Sequence, residues 1–477
     1  MDSVEYAHGL LNLQTVLVST FFGLLTYYTY QRLKYRQPPG PWALPIIGNW
    51  KGPSRAVFLN SLEVVIEAMV KRKADFASRP MLNSFGELSQ NFKGIIFSPY
   101  NAVWKFQKKV AGKALRSYLQ GTQLDRMLND VLEKVIDKMT QEKEPFVATD
   151  YMNKISIHML FNMCFGRKCN LDDPEINRLL EIEEEIVEVF GNGFFEDVIP
   201  FMTRIYTTQS WKKMKSLNDE GVICIQKELK EHRDSFDRNN IRDFTDALLL
   251  AHLEALEEEK EEDMDALTDD QIMQIIYDVL YAGHDGIHCT LDWFISCMVA
   301  HPEIQKRCQE EIDRVVGQDR EPSITDRPNL SITEACIMET MRVGTISGVG
   351  LPHETICDTT VGGYDIPKGT MVFINHWALH NDKAFWKNVD EFDPYRYLDQ
   401  DGNLDSKPDN WLPFSAGRRI CSGEAVAKAQ FVLIVSNLLQ KLTFKAPPGV
   451  HHKLDSRSGF TGNELPVEYK VIVEKRT

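Results

Sequence analysis

Apolar and polar positions follow a helical period over most of this chain. Between about residues 58 and 250, apolar side chains recur at three- and four-residue steps, as at Leu132, Val135, Ile136 and Met139, and predict a series of amphipathic helices. The longest apolar segment of the body opens at Thr268, which forms a capping-box signature with Gln271, and closes at His301-Pro302. At ~1.5 Å per residue such a helix reaches nearly 50 Å, enough to organise a core. Ser331 with Glu334 predicts another capped helix, on which Glu339 and Arg342 share a face. Short runs at Thr370–Asn375 and Glu468–Val473 read as strands, and a last apolar helix follows Gly423. The fold class is therefore mainly α with a small β region.

The N-terminus departs from this pattern. Gly9 to Tyr30 are 22 residues without charge, about 33 Å as a helix against a hydrocarbon core of ~30 Å. Asp2 and Glu5 precede the segment, and Arg32, Lys34 and Arg36 follow it, a bias that places the body in the cytosol. Pro38-Pro39-Gly40-Pro41 then interrupts any helix and makes a stiff spacer. The expected division is residues 1–8 on the far side of the membrane, a 9–30 transmembrane anchor, a 31–45 basic and proline-rich hinge, and a 46–477 catalytic domain.

Composition narrows the chemistry. The net charge is -15, from 54 basic and 69 acidic side chains, which argues against nucleic acid as a partner. The acidic run 254–263 reads as a solvated connector. Nine scattered cysteines with no C-x-x-C pair argue against a zinc or disulfide framework of that type and for thiols in a reducing compartment.

One cysteine stands apart. Cys421 sits in Pro413-Phe414-Ser415-Ala416-Gly417-Arg418-Arg419-Ile420-Cys421-Ser422-Gly423, just ahead of the helix that starts at Glu424. The unpaired amides at that helix N-terminus favour a thiolate. Gly417 and Gly423 let backbone approach a flat ligand, which is what a heme iron with one sulfur ligand requires. The string fits Phe-x-x-Gly-x-Arg-x-Cys-x-Gly and resembles the heme-binding loop of the cytochrome P-450 family, with Phe414, Gly417, Arg419, Cys421 and Gly423 in the matching places.

The resemblance extends along nearly the whole chain. Trp104-Lys105-Phe106-Gln107-Lys108-Lys109 looks like the start of the family's helix across one heme face, where Trp104 and a basic residue, here Lys108 in place of Arg, would reach a propionate. Lys105, Lys109, Lys113 and Arg116 extend this basic helix, either as a solvated face or as docking ground for an acidic redox partner. Tyr281-Ala282-Gly283-His284-Asp285-Gly286 resembles the oxygen-activating segment. Asp285 would supply protons and Gly283 would lie near the cofactor. Where the family has a threonine this chain has Gly286, so the hydroxyl that helps hold dioxygen and relays protons is missing, and weaker coupling of reductant to product is expected. Thr290 is one turn on, about 6 Å along the axis.

Glu339, Arg342 and Arg396 match the family's structural triad, with Tyr397 in place of a phenylalanine. His353 resembles a propionate partner, and Val349, Leu351 and Phe460 resemble pocket residues. The apolar patch Gly191–Met202 falls near the loop that covers the pocket and dips into the membrane.

The chain is thus identified as resembling a microsomal heme-thiolate monooxygenase, most like the steroid 17-alpha-hydroxylase and aryl hydrocarbon hydroxylase group. The resemblance implies heme b as cofactor, and NADPH-cytochrome P-450 reductase as electron donor with cytochrome b5 as an additional candidate. It implies a lipophilic steroid-like, fatty or polycyclic substrate. It also implies single-pass placement in the endoplasmic reticulum membrane with the catalytic domain facing the cytosol and residues 1–8 lumenal. Two rivals stand beside it: a heme-thiolate isomerase or dehydratase acting on a hydroperoxide without reductase, which Gly286 would suit, and a non-catalytic heme protein that binds a lipid.

Overall fold

The structure is a computed structural model and describes residues 55–119, 122–191, 193–257, 267–405, 407–458 and 464–476, with scattered positions between 16 and 38. The expected anchor at 9–30 and most of the hinge lie largely outside the described residues. Among the described residues, no helix is long and apolar enough to cross a membrane. The chain separates into two compact units, Met1–Pro80 with Leu351–Ile374 and Met81–Gly350 with Asn375–Thr477.

The smaller unit is built on a three-stranded sheet in which Met371–Ile374 is central. It pairs in parallel with Ala56–Leu59 and antiparallel with His353–Glu354. The strand expected at 370–375 is thus present. Arg79 ties this unit down, its guanidinium donating to the carbonyls of Leu351 and Pro352 at 2.9 and 2.8 Å.

The larger unit is helical. Its main helices are α1 (Ala102–Ser117), α2 (Gln123–Gln141), α3 (Ala148–Phe165), α4 (Pro174–Gly191), α5 (Gln209–Asp234), α6 (Phe244–Glu257), α7 (Asp269–Ala300), α8 (Pro302–Val315), α9 (Ser331–Gly344) and α10 (Glu424–Lys441). Helix α7 carries the predicted Thr268–Gln271 capping box and runs 32 residues through the core. It lies on α3, where Leu160 reaches the surface left by Gly283, and meets α9, where a Cβ on Gly344 would come within 2.9 Å of the Trp293 ring. Helix α10 is buried on nearly every face from Val426 to Gln440, as expected of a helix without a polar side. Lys470–Lys475 pairs with both Phe146–Val147 and Leu442–Lys445, closing a small sheet.

The cap predicted for α9 is a correction. Ser331 lies inside the helix, and Leu330 is its N-cap with no side-chain bond. Glu334 instead pairs with Arg327. The amides of Ile332 and Thr333 donate, both at 2.9 Å, to the Glu311 carboxylate of α8. A carboxylate from a neighbouring helix thus takes the place that a local cap holds elsewhere.

Candidate heme-thiolate site

The loop before α10 is shaped by backbone first. Ser415 and Gly417 have φ of 64° and 77°, and the Cys421 amide donates to the Phe414 carbonyl at 3.0 Å. The turn brings the Cys421 thiol beside the start of α10, where a Cβ on Gly423 would lie 3.9 Å from Sγ. Of the nine cysteines only Cys421 is exposed. Solvent reaches the residue, yet loop and helix crowd the thiol, and this desolvation holds its pKa above the ordinary value. The Gly423 N–H, the Lys108 ammonium and the Glu424 N–H pull the other way.

Two cations hold the loop. The Arg419 guanidinium donates to Ser98 O at 2.6 Å and Ile95 O at 3.3 Å and lies 3.9 Å from the centre of the Trp104 ring. Trp104 Nε1 donates to the same Ile95 carbonyl at 3.0 Å. Lys108 Nζ donates to the carbonyls of Arg418 and Ile420, at 2.9 and 2.7 Å, on either side of Arg419. Lys108, expected at a propionate, and Arg419, expected at the cofactor, are therefore also engaged in bracing the cysteine loop. Lys105, Lys109, Lys113 and Arg116 are exposed on α1, and among the described residues they form no ion pair.

The 95–98 segment is itself anchored by a residue that sequence reasoning missed. Asp278 on α7 accepts from the amides of Ile95 at 2.6 Å and Ile96 at 3.0 Å. Burial pushes its carboxyl up to about 6, opposed by Gln274 and these two amides. Nothing in the α7 sequence separates Asp278 from any other helical carboxylate.

On the same helix Ala282 is exposed and Gly286 half-buried, and a Cβ on Gly286 would meet nothing within 4 Å. Space at i and i+4 on one face, together with a cysteine loop that presents its thiol, fits a flat prosthetic group. Gly283 also faces α3, where a Cβ on it would lie 3.1 Å from Leu160 Cδ2. Thr290 Oγ1 donates to the Gly286 carbonyl at 2.7 Å. Asp285 accepts from Cys289 Sγ at 3.7 Å.

The triad is assembled as expected and goes further. Glu339 and Arg342 are both fully buried and joined by two bonds of 2.8 and 2.9 Å, and Arg396 Nε reaches Glu339 at 3.2 Å. Tyr397 donates its hydroxyl to the other Glu339 oxygen at 3.1 Å. The departure from phenylalanine at this position therefore adds a third side-chain partner to one buried carboxylate, which also accepts from the Asp393 amide at 3.0 Å.

A family model described as cytochrome P450 matches residues 40–471. This chain belongs to the cytochrome P450 family. It is 31% identical over 464 residues to cytochrome P450 1A1 of Rattus norvegicus, covering 89% of this chain and 88% of that protein. It is also 31% identical to the steroid 17-alpha-hydroxylase/17,20 lyase of Squalus acanthias over 431 residues, covering 89% and 84%. A solved zebra fish cytochrome P450 with progesterone superposes with a TM-score of 0.80 at 27% identity, covering 89% of this chain and 94% of that one. The cytochrome P450s are monooxygenases that bind heme iron through a cysteine thiolate, and this chain is an enzyme of that family with heme as its cofactor.

The remaining expected site residues are spread out. His353, in the smaller unit, is buried with Nδ1 2.9 Å from the Phe76 carbonyl. Leu351 is exposed in that unit, whereas Val349 forms a β-bridge with Asn375 in the larger one. Phe460 lies outside the described residues. The patch around 191–202 is short helical turns, and Phe195, Phe201, Ile205 and Tyr206 in and beside it are exposed.

Proposed function

We propose that this cytochrome P450 uses Cys421 as its iron ligand and inserts one oxygen atom of dioxygen into a lipophilic small molecule of steroid-like, fatty or polycyclic type. Its electrons come from an NADPH-dependent flavoprotein reductase, with cytochrome b5 as an additional donor. The observation that carries this reading is the Cys421 thiol, the one exposed cysteine of nine, crowded by the α10 amides.

Heme, when bound, supplies dioxygen activation and oxygen transfer. The chain's own residues have other tasks. Arg419, Trp104 and Lys108 hold the cysteine loop rigid, and rigidity keeps the sulfur on one line. Phe414, Gly417 and Gly423 allow close approach of a flat ring. Asp285 is the acid nearest the missing hydroxyl. The Thr290 hydroxyl is directed to the Gly286 carbonyl, so it does not restore the relay. The open space at Gly286 suits a substrate hydroxyl there instead.

The exposed Lys105, Lys109, Lys113 and Arg116 suit an acidic reductase surface. Phe195, Phe201, Ile205 and Tyr206 suit the edge of a bilayer from which a lipophilic substrate would enter. With the uncharged 9–30 segment this supports placement at the endoplasmic reticulum membrane, facing the cytosol. The names of the relatives, a steroid hydroxylase/lyase and a P450 1A1, support the substrate class.

The test is the absorption spectrum of the reduced carbon monoxide complex, followed by a steroid, fatty-acid and polycyclic panel with and without reductase. A thiolate-type band lost in Cys421→His, with product only when reductase and NADPH are present, is expected. A band without thiolate character overturns the assignment of Cys421. Gly286 favours one second reading, a hydroperoxide isomerase or dehydratase; turnover without reductant identifies it.

A further inference from the structure

We infer that Asp285, His288 and Cys289, on one turn of α7, form a zinc-binding site separate from the heme ligand, and that zinc bound there withdraws Asp285 from the proton-supplying role proposed above. Their ligand atoms all lie within 4.8 Å of one another. His288 Nε2 is 3.3 Å from Cys289 Sγ, and Cys289 Sγ is 3.7 Å from Asp285 Oδ1. Zinc bonds of about 2.0–2.3 Å in a tetrahedron place ligand atoms roughly 3.3–3.7 Å apart, so these two separations need almost no rearrangement.

The tautomer is already set for coordination. His288 Nδ1 lies 3.0 Å from the His284 carbonyl. A carbonyl only accepts, so Nδ1 carries the proton and Nε2 presents its lone pair toward Cys289. A backbone carbonyl behind the ligating imidazole is the usual outer support of a metal-bound histidine. The His284 ring stacks on His288 at 4.6 Å between centroids, and its own Nδ1 is buried without a hydrogen-bond partner among the described residues.

Charge selects the metal. One carboxylate, one thiolate and one neutral imidazole offset a dication to zero net charge, which suits a helix face where Cys289 is 1% exposed. A thiolate with an imidazole favours zinc over magnesium or calcium. Three protein ligands leave a fourth position for water or a small donor. On binding, the Cys289 S–H proton is released to solvent, so one proton leaves per zinc.

The other such grouping among the described residues, His232, Asp243 and Asp246, is already satisfied internally. His232 meets Asp243 at 2.9 Å and Arg242 holds Asp246 by bonds of 2.6 and 2.8 Å.

The heme-loaded full chain, stripped with a chelator and equilibrated with zinc chloride, is to be gel-filtered and analysed for zinc and iron. One zinc per heme iron is expected, with zinc-edge X-ray absorption showing a single sulfur at about 2.3 Å. Cys289→Ser should lose that sulfur, and His288→Gln should retain at least tenfold less zinc. Retention equal in wild type and His288→Gln, or a zinc shell without sulfur, overturns the site. Should Cys289→Ser not fold, His288→Gln and the release of one proton per zinc from the wild type decide the matter.

Discussion

The guanidinium of Arg419 lies over the indole of Trp104, 3.9 Å from the ring centre, and both donate to the carbonyl of Ile95. A residue two places before the thiol and a residue on α1 are thereby joined through a segment that Asp278 of α7 holds by two amides. Three parts of the chain far apart in sequence thus set the position of one sulfur.

Removing the guanidinium should release this loop. Arg419→Ala loses two charge-assisted bonds and a cation–π contact, and a stability loss of about 3 kcal/mol is expected. Urea denaturation of the heme-loaded protein measures it, and heme content after gel filtration should fall in parallel. Arg419→Lys should restore only part of both, since an ammonium cannot reproduce the planar fork.

The Asp278 clamp carries a pH signature. Its carboxyl is raised to about 6, above its unfolded value near 4. The folded state therefore binds the proton more tightly, and this group's contribution to stability falls as pH rises between about 4 and about 6. In Asp278→Asn the melting temperature should lose that component. A pH series over this interval, unchanged in the variant, would refute the clamp's titration.

Glu339 is the common acceptor of Arg342, Arg396 and Tyr397. Glu339→Ala strands two guanidinium groups and should cost roughly 3–5 kcal/mol, with loss of heme incorporation. Tyr397→Phe removes one neutral donor and should cost about 1 kcal/mol with heme retained. Paired thermal melts and heme spectra of the two variants distinguish a shared acceptor from three independent contacts.

Gly286→Thr tests the missing hydroxyl. No atom lies within 4 Å of the added Cβ, and glycine is disfavoured within a helix, so stability should be unchanged or higher by a few tenths of a kcal/mol. Peroxide released per NADPH consumed should drop, once a substrate is in hand. A ratio equal to that of the wild type would remove Gly286 as the cause of weak coupling.

Much of this was legible along the chain, because the signals are local. The capping box at Thr268, the period of α7, the i,i+3 placement of Glu339 and Arg342, and the glycine-flanked cysteine before α10 each depend on neighbours a few residues away. Family and cofactor are read from the resemblance these local strings carry, the family match bears them out, and the structure shows the capping box and the Glu339–Arg342 pair in place.

Tertiary structure decided what spacing cannot carry. It gave α9 its cap from Glu311 and sent Glu334 to Arg327, turned Gly283 to Leu160, and brought Tyr397 to the Glu339 carboxylate. It engaged Lys108 and Arg419 with backbone carbonyls and made Asp278 the anchor of the segment that receives Arg419. The physical reason is that a buried polar group must find its partner, and a close-packed helix its neighbour, wherever the fold places one, and the partners here lie 7 to more than 300 residues away in sequence, outside the i,i+3 and i,i+4 steps that local spacing reports.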